Sequence, residues 1–322
     1  MSFYLHCEAS SCGVWTREIR YNNMFVFSLY RVMKIILFVC CFLSAVCCFA
    51  QEGGSNMYVP HPLKISPKNS EIGIFLGGSY YTGDLNPAGH FNRFTKPAVG
   101  LLYRVNFNPR LSAKAIASYG SIEGDDAFSD NAASRNRNLS FKSQLMEFAV
   151  EGEFNFLSFA TGSKKLAVSS PYVFGGIAVF HFRPQGFYGN HWYDLQPLGT
   201  EGQGTSFSGE KTYSLTQFSI PFGVGLKINT AKRVCIALEW GLRKTFTDYL
   251  DDVSGKYVDP TLLAAEKGSA AAALADKSLT KQGGNDTGRQ RGNSFTNDWY
   301  YFAGVMITFK LKGREGECDI PH

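Results

Sequence analysis

The chain has 322 residues, a formal net charge of +5 and 44% hydrophobic residues. Charged side chains make up 18% and aromatic ones 15%, and there are 33 glycines. So small a positive excess excludes a strongly basic nucleic-acid binder, and moderate hydropathy with abundant glycine and aromatics suits a barrel with an apolar outside and a polar inside.

Met1–Val32 shows no clear period and is expected to be an N-terminal extension, with translation starting at Met33. MKIILFVCCFLSAVCCFAQ then carries Lys34 as a positive start, an apolar stretch Ile35–Phe49 and a small-x-small site at Cys48-Phe49-Ala50. That is the pattern of a secretory signal peptide over 33–50, with Gln51 as the mature terminus. Residues 51–69 are expected to be a periplasmic segment. Six of the eight cysteines precede Gln51, leaving only Cys235 and Cys318. This is neither a disulfide scaffold nor a CxxC metal site. Residues 1–50 hold four basic and two acidic side chains, so the mature charge is +5 − 2 = +3. After the signal no apolar run reaches the roughly 18 residues a spanning helix needs. If the protein is integral it must be a barrel, because only helices and closed barrels satisfy their backbone in lipid.

Eight strands are predicted: Glu71–Tyr81, Ala98–Asn108, Arg110–Gly120, Phe141–Phe156, Pro171–Phe182, Thr212–Asn229, Arg233–Thr245 and Asp298–Lys310. The alternation is plainest in the sixth and seventh. Phe218, Ile220, Phe222, Val224, Leu226 and Ile228 share one face, as do Val234, Ile236, Leu238, Trp240 and Leu242. Lys227, Glu239 and Arg243 occupy the other. Strands two and three, and six and seven, are joined by short turns; Leu157–Ser170 is a moderate link. Thr82–Pro97, Ser121–Ser140, Arg183–Lys211 and Phe246–Asn297 are long. Short links at one end and long ones at the other give an all-β, eight-stranded antiparallel transmembrane β-barrel, with short periplasmic turns and long extracellular loops. A soluble lipocalin-like barrel or sandwich gives no reason for that asymmetry. The barrel spans residues 70–311, and 312–322 form a periplasmic tail.

An eight-stranded barrel is only wide enough for side chains inside. The inward set Arg104, Lys114, Glu147, Glu151, Glu153, Lys227, Glu239 and Arg243 is therefore read as an ion-pair network filling the lumen, rather than a carboxylate acid/base pair. The histidines are scattered, with no HxH, HExxH, GxSxG or P-loop pattern. No catalytic residue, metal or cofactor is expected. His191 with Ser206 or Ser208 is the one conceivable acyl-transfer set. In the last long loop, Pro260–Ser278 reads as a short helix broken at Gly268-Ser269. Lys281–Ser294 reads as flexible, with Arg289 and Arg291 solvated or able to hold an anion. Cys235 faces inward near the periplasmic end, where the tail could bring Cys318 to it as a disulfide; two separate thiols are the other reading.

Several words resemble the PorG family, the outer-membrane barrel of the type IX secretion system. They are IGIFLGGSYYTGDLNP (72–87), SPYVFGGIAVFHFRPQ (170–185), LQPLGTEGQG (195–204), YSLTQFSIPFGVGLK (213–227), EWGLRKTFTDYLDDVSGKYVD (239–259) and RGNSFTNDWYYFAGVMITFK (291–310). The resemblance implies a non-enzymatic barrel that anchors a periplasmic ring built from PorK- and PorN-like proteins. The expected partners are thus the outer-membrane bilayer and that ring, with no nucleic acid and no small-molecule substrate. Partner contacts would fall on the short-turn side, with Asn108, Lys164, Lys165 and Lys232 as candidates. An adhesion or binding barrel acting through its long loops is the second reading, and an outer-membrane lipid-modifying enzyme the third.

Overall fold

The computed structural model describes residues 70–311 apart from 87–88, 232 and 282–285. The extension over 1–32, the signal peptide over 33–50, the segment 51–69 and the tail 312–322 all lie outside the described residues. Among the described residues no helix is long and apolar enough to cross a membrane.

Among the described residues nine strands form, and eight of them close into a ring. They are β1 (Ser70–Thr82), β2 (Lys96–Asn106), β3 (Leu111–Asp125), β4 (Ser140–Asn155), β5 (Ser169–Tyr188), β6 (His191–Asp194), β7 (Thr216–Ala231), β8 (Val234–Thr245) and β9 (Trp299–Lys310). Neighbours along the chain pair antiparallel, except that β5 pairs with β7, and β9 returns to β1. β6 stands outside the ring as the return arm of a hairpin on β5. The ring is the eight-stranded antiparallel barrel expected from the alternation.

Three strand boundaries differ from expectation by four residues or more, and the first is that of β3, which runs past Gly120 to Asp125. β5 runs on to Tyr188 and turns back through Gly189 and Asn190, both in the left-handed region at φ 54° and 65°. Two consecutive positive φ values are what a tight two-residue hairpin needs. Thr212–Leu215, read as the start of a strand, instead leads into β7, which begins at Thr216.

The two faces of the wall are inverted relative to a soluble protein. Ile177, Phe218 and Leu101 point outward with 70%, 68% and 67% of their surfaces exposed, while Lys114 and Glu151 inside are 0% and 1% exposed. Water would reverse that arrangement; hydrocarbon outside and paired charges inside explain it. Aromatic residues mark both ends of the band. Tyr103, Phe154 and Phe309 lie toward the short turns, and Tyr119, Trp299 and Tyr301 toward the long loops. The barrel is a membrane-spanning one.

Inside, the lower half is ionic and the upper half aromatic. Phe75, Phe180, Phe182, Phe302 and Tyr300 pack with Ile116, Leu102 and Leu145 above the charges. Inward glycines make room for them. A Cβ at Gly225 would sit 2.5 Å from the Tyr172 ring.

Among the described residues the long loops contain four short α-helices: α1 (Ala132–Arg137), α2 (Leu195–Leu198), α3 (Pro260–Lys267) and α4 (Ser269–Ala275). α3 starts where the Asp259 side chain accepts from the Thr261 and Leu262 amides, with Pro260 at its first position. The break to α4 falls at Gly268, where φ is 92°, at the position expected.

Candidate functional site

Three assemblies could carry function: the lumen network, the short-turn base and the long-loop cap.

The lumen network gathers all eight inward residues singled out in the sequence. Glu153 is its hub. Its carboxylate lies 2.8 Å from Arg104, 2.7 Å from Lys227 and 3.6 Å from Lys114. Lys114 also reaches Glu151 at 2.8 Å and Glu239 at 2.6 Å. Arg243 pairs with Glu147 at 3.1 Å and approaches Glu151 at 3.8 Å. Tyr172 donates to Glu239 and Tyr300 to Glu147, at 2.6 and 2.7 Å. The cations also lie over rings: Lys114 over Phe174 at 4.8 Å and Arg243 over Phe302 at 4.8 Å. Every carboxylate faces a cation or a phenol, which is the arrangement that makes buried charge tolerable.

Besides the two tyrosines, sequence reasoning missed one charged member. Glu71 pairs with Arg104 at 3.1 Å and accepts from Asn106, Thr161 and Thr308. The parity of β1 held the signal, since Glu71 shares its face with Gly73, Phe75 and Gly77.

Thr161 reaches Glu71 from the moderate link between β4 and β5. That link folds beneath the barrel. Its Gly162 amide donates to Asn229, and Asn229 donates back to the Ser163 carbonyl, at 3.0 and 3.1 Å. Phe159 and Thr161 are buried, while Lys164 and Lys165 remain exposed on its rim. Asn108 accepts from the amides of Arg110 and Leu111, both at 2.8 Å, so its side chain shapes the β2–β3 turn. Lys232 lies outside the described residues. Cys235 is buried and faces inward; its proposed pairing with Cys318 lies outside the described residues.

At the other end the long loops lock into a cap around two arginines. Arg137 donates to both oxygens of Asp126 at 2.7 and 2.9 Å, and to the carbonyls of Arg291 and Asp84. Arg291 donates to Glu201 at 2.9 Å and to the carbonyls of Ala275 and Asp252. Glu201 in turn accepts from the Ser254 and Gly255 amides. Thus Arg291, read as a solvated or anion-holding residue in a flexible segment, is a buried tie between two loops. Its charge is already spent on Glu201, so it is not available to an anion.

Ser206 gives its hydroxyl to Glu266 and Ser208 gives its own to the Gly202 carbonyl. His191 is exposed at the start of β6. No hydrogen bond joins His191 to either serine among the described residues.

Within the cap, Asp248, Asp251 and Asp298 have no basic partner in contact among the described residues, whereas Asp252 pairs with Arg291 at 3.9 Å. Asp251 accepts from the Tyr81 hydroxyl and the Val253 amide. Asp298 accepts from the Leu250 amide, while its second oxygen is buried with no hydrogen-bond partner, as is one oxygen of Asp248. Burial first, and then the neighbouring acids, push Asp251 and Asp298 well above the usual carboxyl range. Burial also pushes Asp248 to about 7 and Asp252 to about 6, the latter against the pull of Arg291. Among the described residues no acidic, histidine or cysteine group is arranged to hold a metal ion.

Since these carboxyls titrate higher in the folded cap than in an open loop, the folded form binds protons more tightly. The resulting stability is full below the ordinary Asp range and is lost as pH rises through the folded values. Amide hydrogen exchange in residues 246–298, corrected for intrinsic rates, is therefore expected to be faster at about pH 8 than at about pH 5. Equal or greater protection at the higher pH would show that the carboxyls do not control the cap.

The solved structures similar to the chain include three barrels. Ail, the attachment invasion locus protein of Yersinia pestis, is 11% identical over 74% of this chain and 96% of that one, with a TM-score of 0.34. Neisserial surface protein A is 9% identical over 76% and 97%, at 0.35. The outer membrane protein OprG from Pseudomonas aeruginosa is 10% identical over 76% and 98%, at 0.34. Likeness at this level carries no functional argument, and the barrel rests on its own strand pairings. No curated protein matches the sequence. The sequence does match, over residues 58–263 and thus more than half its length, the family described as Domain of unknown function (DUF6089), and the chain belongs to that family.

Proposed function

We propose that this protein is a non-enzymatic outer-membrane barrel of the type IX secretion machinery, anchoring a periplasmic PorK/PorN-like ring through its short-turn base. The apolar band and the asymmetry of the connections support the outer membrane, with the base in the periplasm and the cap outside. The PorG-like words in strands and loops support the machine. The observation that carries the anchoring role is the charge of the base. Its exposed charged residues among those described are Arg110, Lys164, Lys165 and Arg233, all basic. Glu71, at the same end of the barrel, is buried in the lumen. A rigid basic underside suits an acidic partner surface, and such complementarity governs association rate and orientation more than raw affinity.

Charge reversal of Arg110, Lys164, Lys165 and Arg233 to glutamate is expected to cut recovery of ring proteins with the tagged barrel at least about tenfold, a loss of ~1.4 kcal/mol. Secretion of cargo bearing the C-terminal signal should fall with it, while barrel folding stays intact. Unchanged ring recovery with a folded barrel would sink the anchoring role.

A further inference from the structure

We infer that the cap carries a preformed cleft that binds a neutral oligosaccharide. The cleft lies between α1 on one side and the segment 286–293 on the other, and its volume is about 750 Å³. That falls within the range of small-molecule sites, roughly 300–1,000 Å³.

The walls are fixed before any ligand arrives. The Asn136 side chain donates to the Thr280 carbonyl and accepts from its amide, at 3.1 and 3.0 Å. Arg137 ties one wall to the other through the Arg291 carbonyl at 2.6 Å. The opposite wall is held on its far side, where Tyr257 donates to the Arg289 carbonyl at 2.9 Å and Gly288 donates to that of Tyr257 at 2.8 Å. A rigid cleft spares the ordering cost that a mobile loop would impose on binding.

The class of ligand follows from how the charges are spent. Arg137 is matched by Asp126, Arg291 by Glu201 and Arg289 by Asp286. The other carboxylate in the lining, Asp84, accepts from the Asn293 amide at 2.8 Å. A sulfated or phosphorylated ligand would find each arginine already facing an acid, and would meet Asp84 and Asp286 besides. A cation would have to compete with those arginines. What the cleft offers instead is neutral polar groups. Ser134 and Gln290 show no side-chain hydrogen bond within the described residues, while the Ser278 hydroxyl is shared between the Tyr257 hydroxyl, at a long 3.5 Å, and Asp276. Hydroxyl and carboxamide groups in a roomy cleft, with a tyrosine in its lining, match the alternating hydroxyl and C–H faces of an uncharged sugar chain.

The inference rests on the outward orientation of the cap but not on any role in secretion. The test uses the full mature chain, biotinylated and held in lauryl-dimethylamine oxide, a detergent without a sugar head group, on a printed array of neutral and acidic oligosaccharides. Retention on neutral glycans, competed by the same free sugar, is expected. Gln290→Ala should weaken it about fivefold, and Ser134→Trp, which fills the cleft from α1, should abolish it. Both variants should keep the heat-modifiable migration of the folded barrel and normal recovery of ring proteins. Retention of acidic glycans only, no retention at all, or retention indifferent to Gln290→Ala overturns the inference. None of these results bears on the anchoring role, which is read by the ring proteins alone.

Discussion

Glu153→Leu is expected to destabilise the barrel by about 3–5 kcal/mol, the usual cost of removing one partner from a buried ion pair. The side chain sits within ion-pair distance of Arg104, Lys114 and Lys227, so its loss leaves several cations short of a counter-charge. Those cations are not equivalent. Arg104 keeps Glu71, and Lys114 keeps Glu151 and Glu239. For Lys227 only Glu153 lies within ion-pair distance among the described residues. Adding Lys227→Met to Glu153→Leu should therefore recover much of the lost stability, although each substitution alone is harmful. Urea unfolding of the barrel in lipid vesicles, followed by tryptophan fluorescence, gives the four values of this double-mutant cycle. Additive effects would mean that the two residues do not share a network, whatever their distance.

Arg291→Met is expected to act at the other end and in a different way. The guanidinium holds Glu201 and two carbonyls, and Glu201 holds the Ser254 and Gly255 amides. Removing it leaves two buried carboxylates, Glu201 and Asp252, without their cation and unhooks the third long loop from the fourth, a loss again of about 3–5 kcal/mol, confined to the cap. The strands do not depend on it, because they close on one another and on the lumen charges. Trypsin added to whole cells should then cut the variant within residues 195–292 under conditions that leave the parent intact. The heat-modifiable migration of the barrel should be unchanged. A variant whose loops resist protease as well as the parent would show that Arg291 is not the tie the geometry makes it.

These two experiments separate the parts of the molecule that its sequence displays from those it conceals. Alternation along a strand is a local signal, so the faces of β2, β4, β7, β8 and β9, and with them the charges of the lumen, could be read from single segments. The β5–β6 hairpin was equally local. The words FYGNHWYD place aromatic residues on both sides of Gly189-Asn190, a turn dipeptide. It was hidden only because a loop was expected there. The cap and the base are another matter. Arg291 meets Glu201, and Thr161 meets Glu71, each across 90 positions of sequence. The polar, glycine-rich composition around Arg291 has the look of a flexible tract. Its order comes from tertiary partners that no window of sequence contains.

Glu71 has a consequence for how the ring can close. Its carboxylate is met from β2 by Arg104, from β9 by Thr308 and from the base by Thr161, so it is satisfied only when the last strand has come round to the first. The neighbouring position, Ile72, faces out. A slip of one residue in the β1–β9 seam would turn the carboxylate into lipid and the isoleucine into the ionic layer, because strand faces alternate with every residue. Lipid strongly disfavours the first and the network disfavours the second. The lumen charges therefore act as a proofreading device for the seam, rejecting misaligned closure at the one junction that chain connectivity does not set.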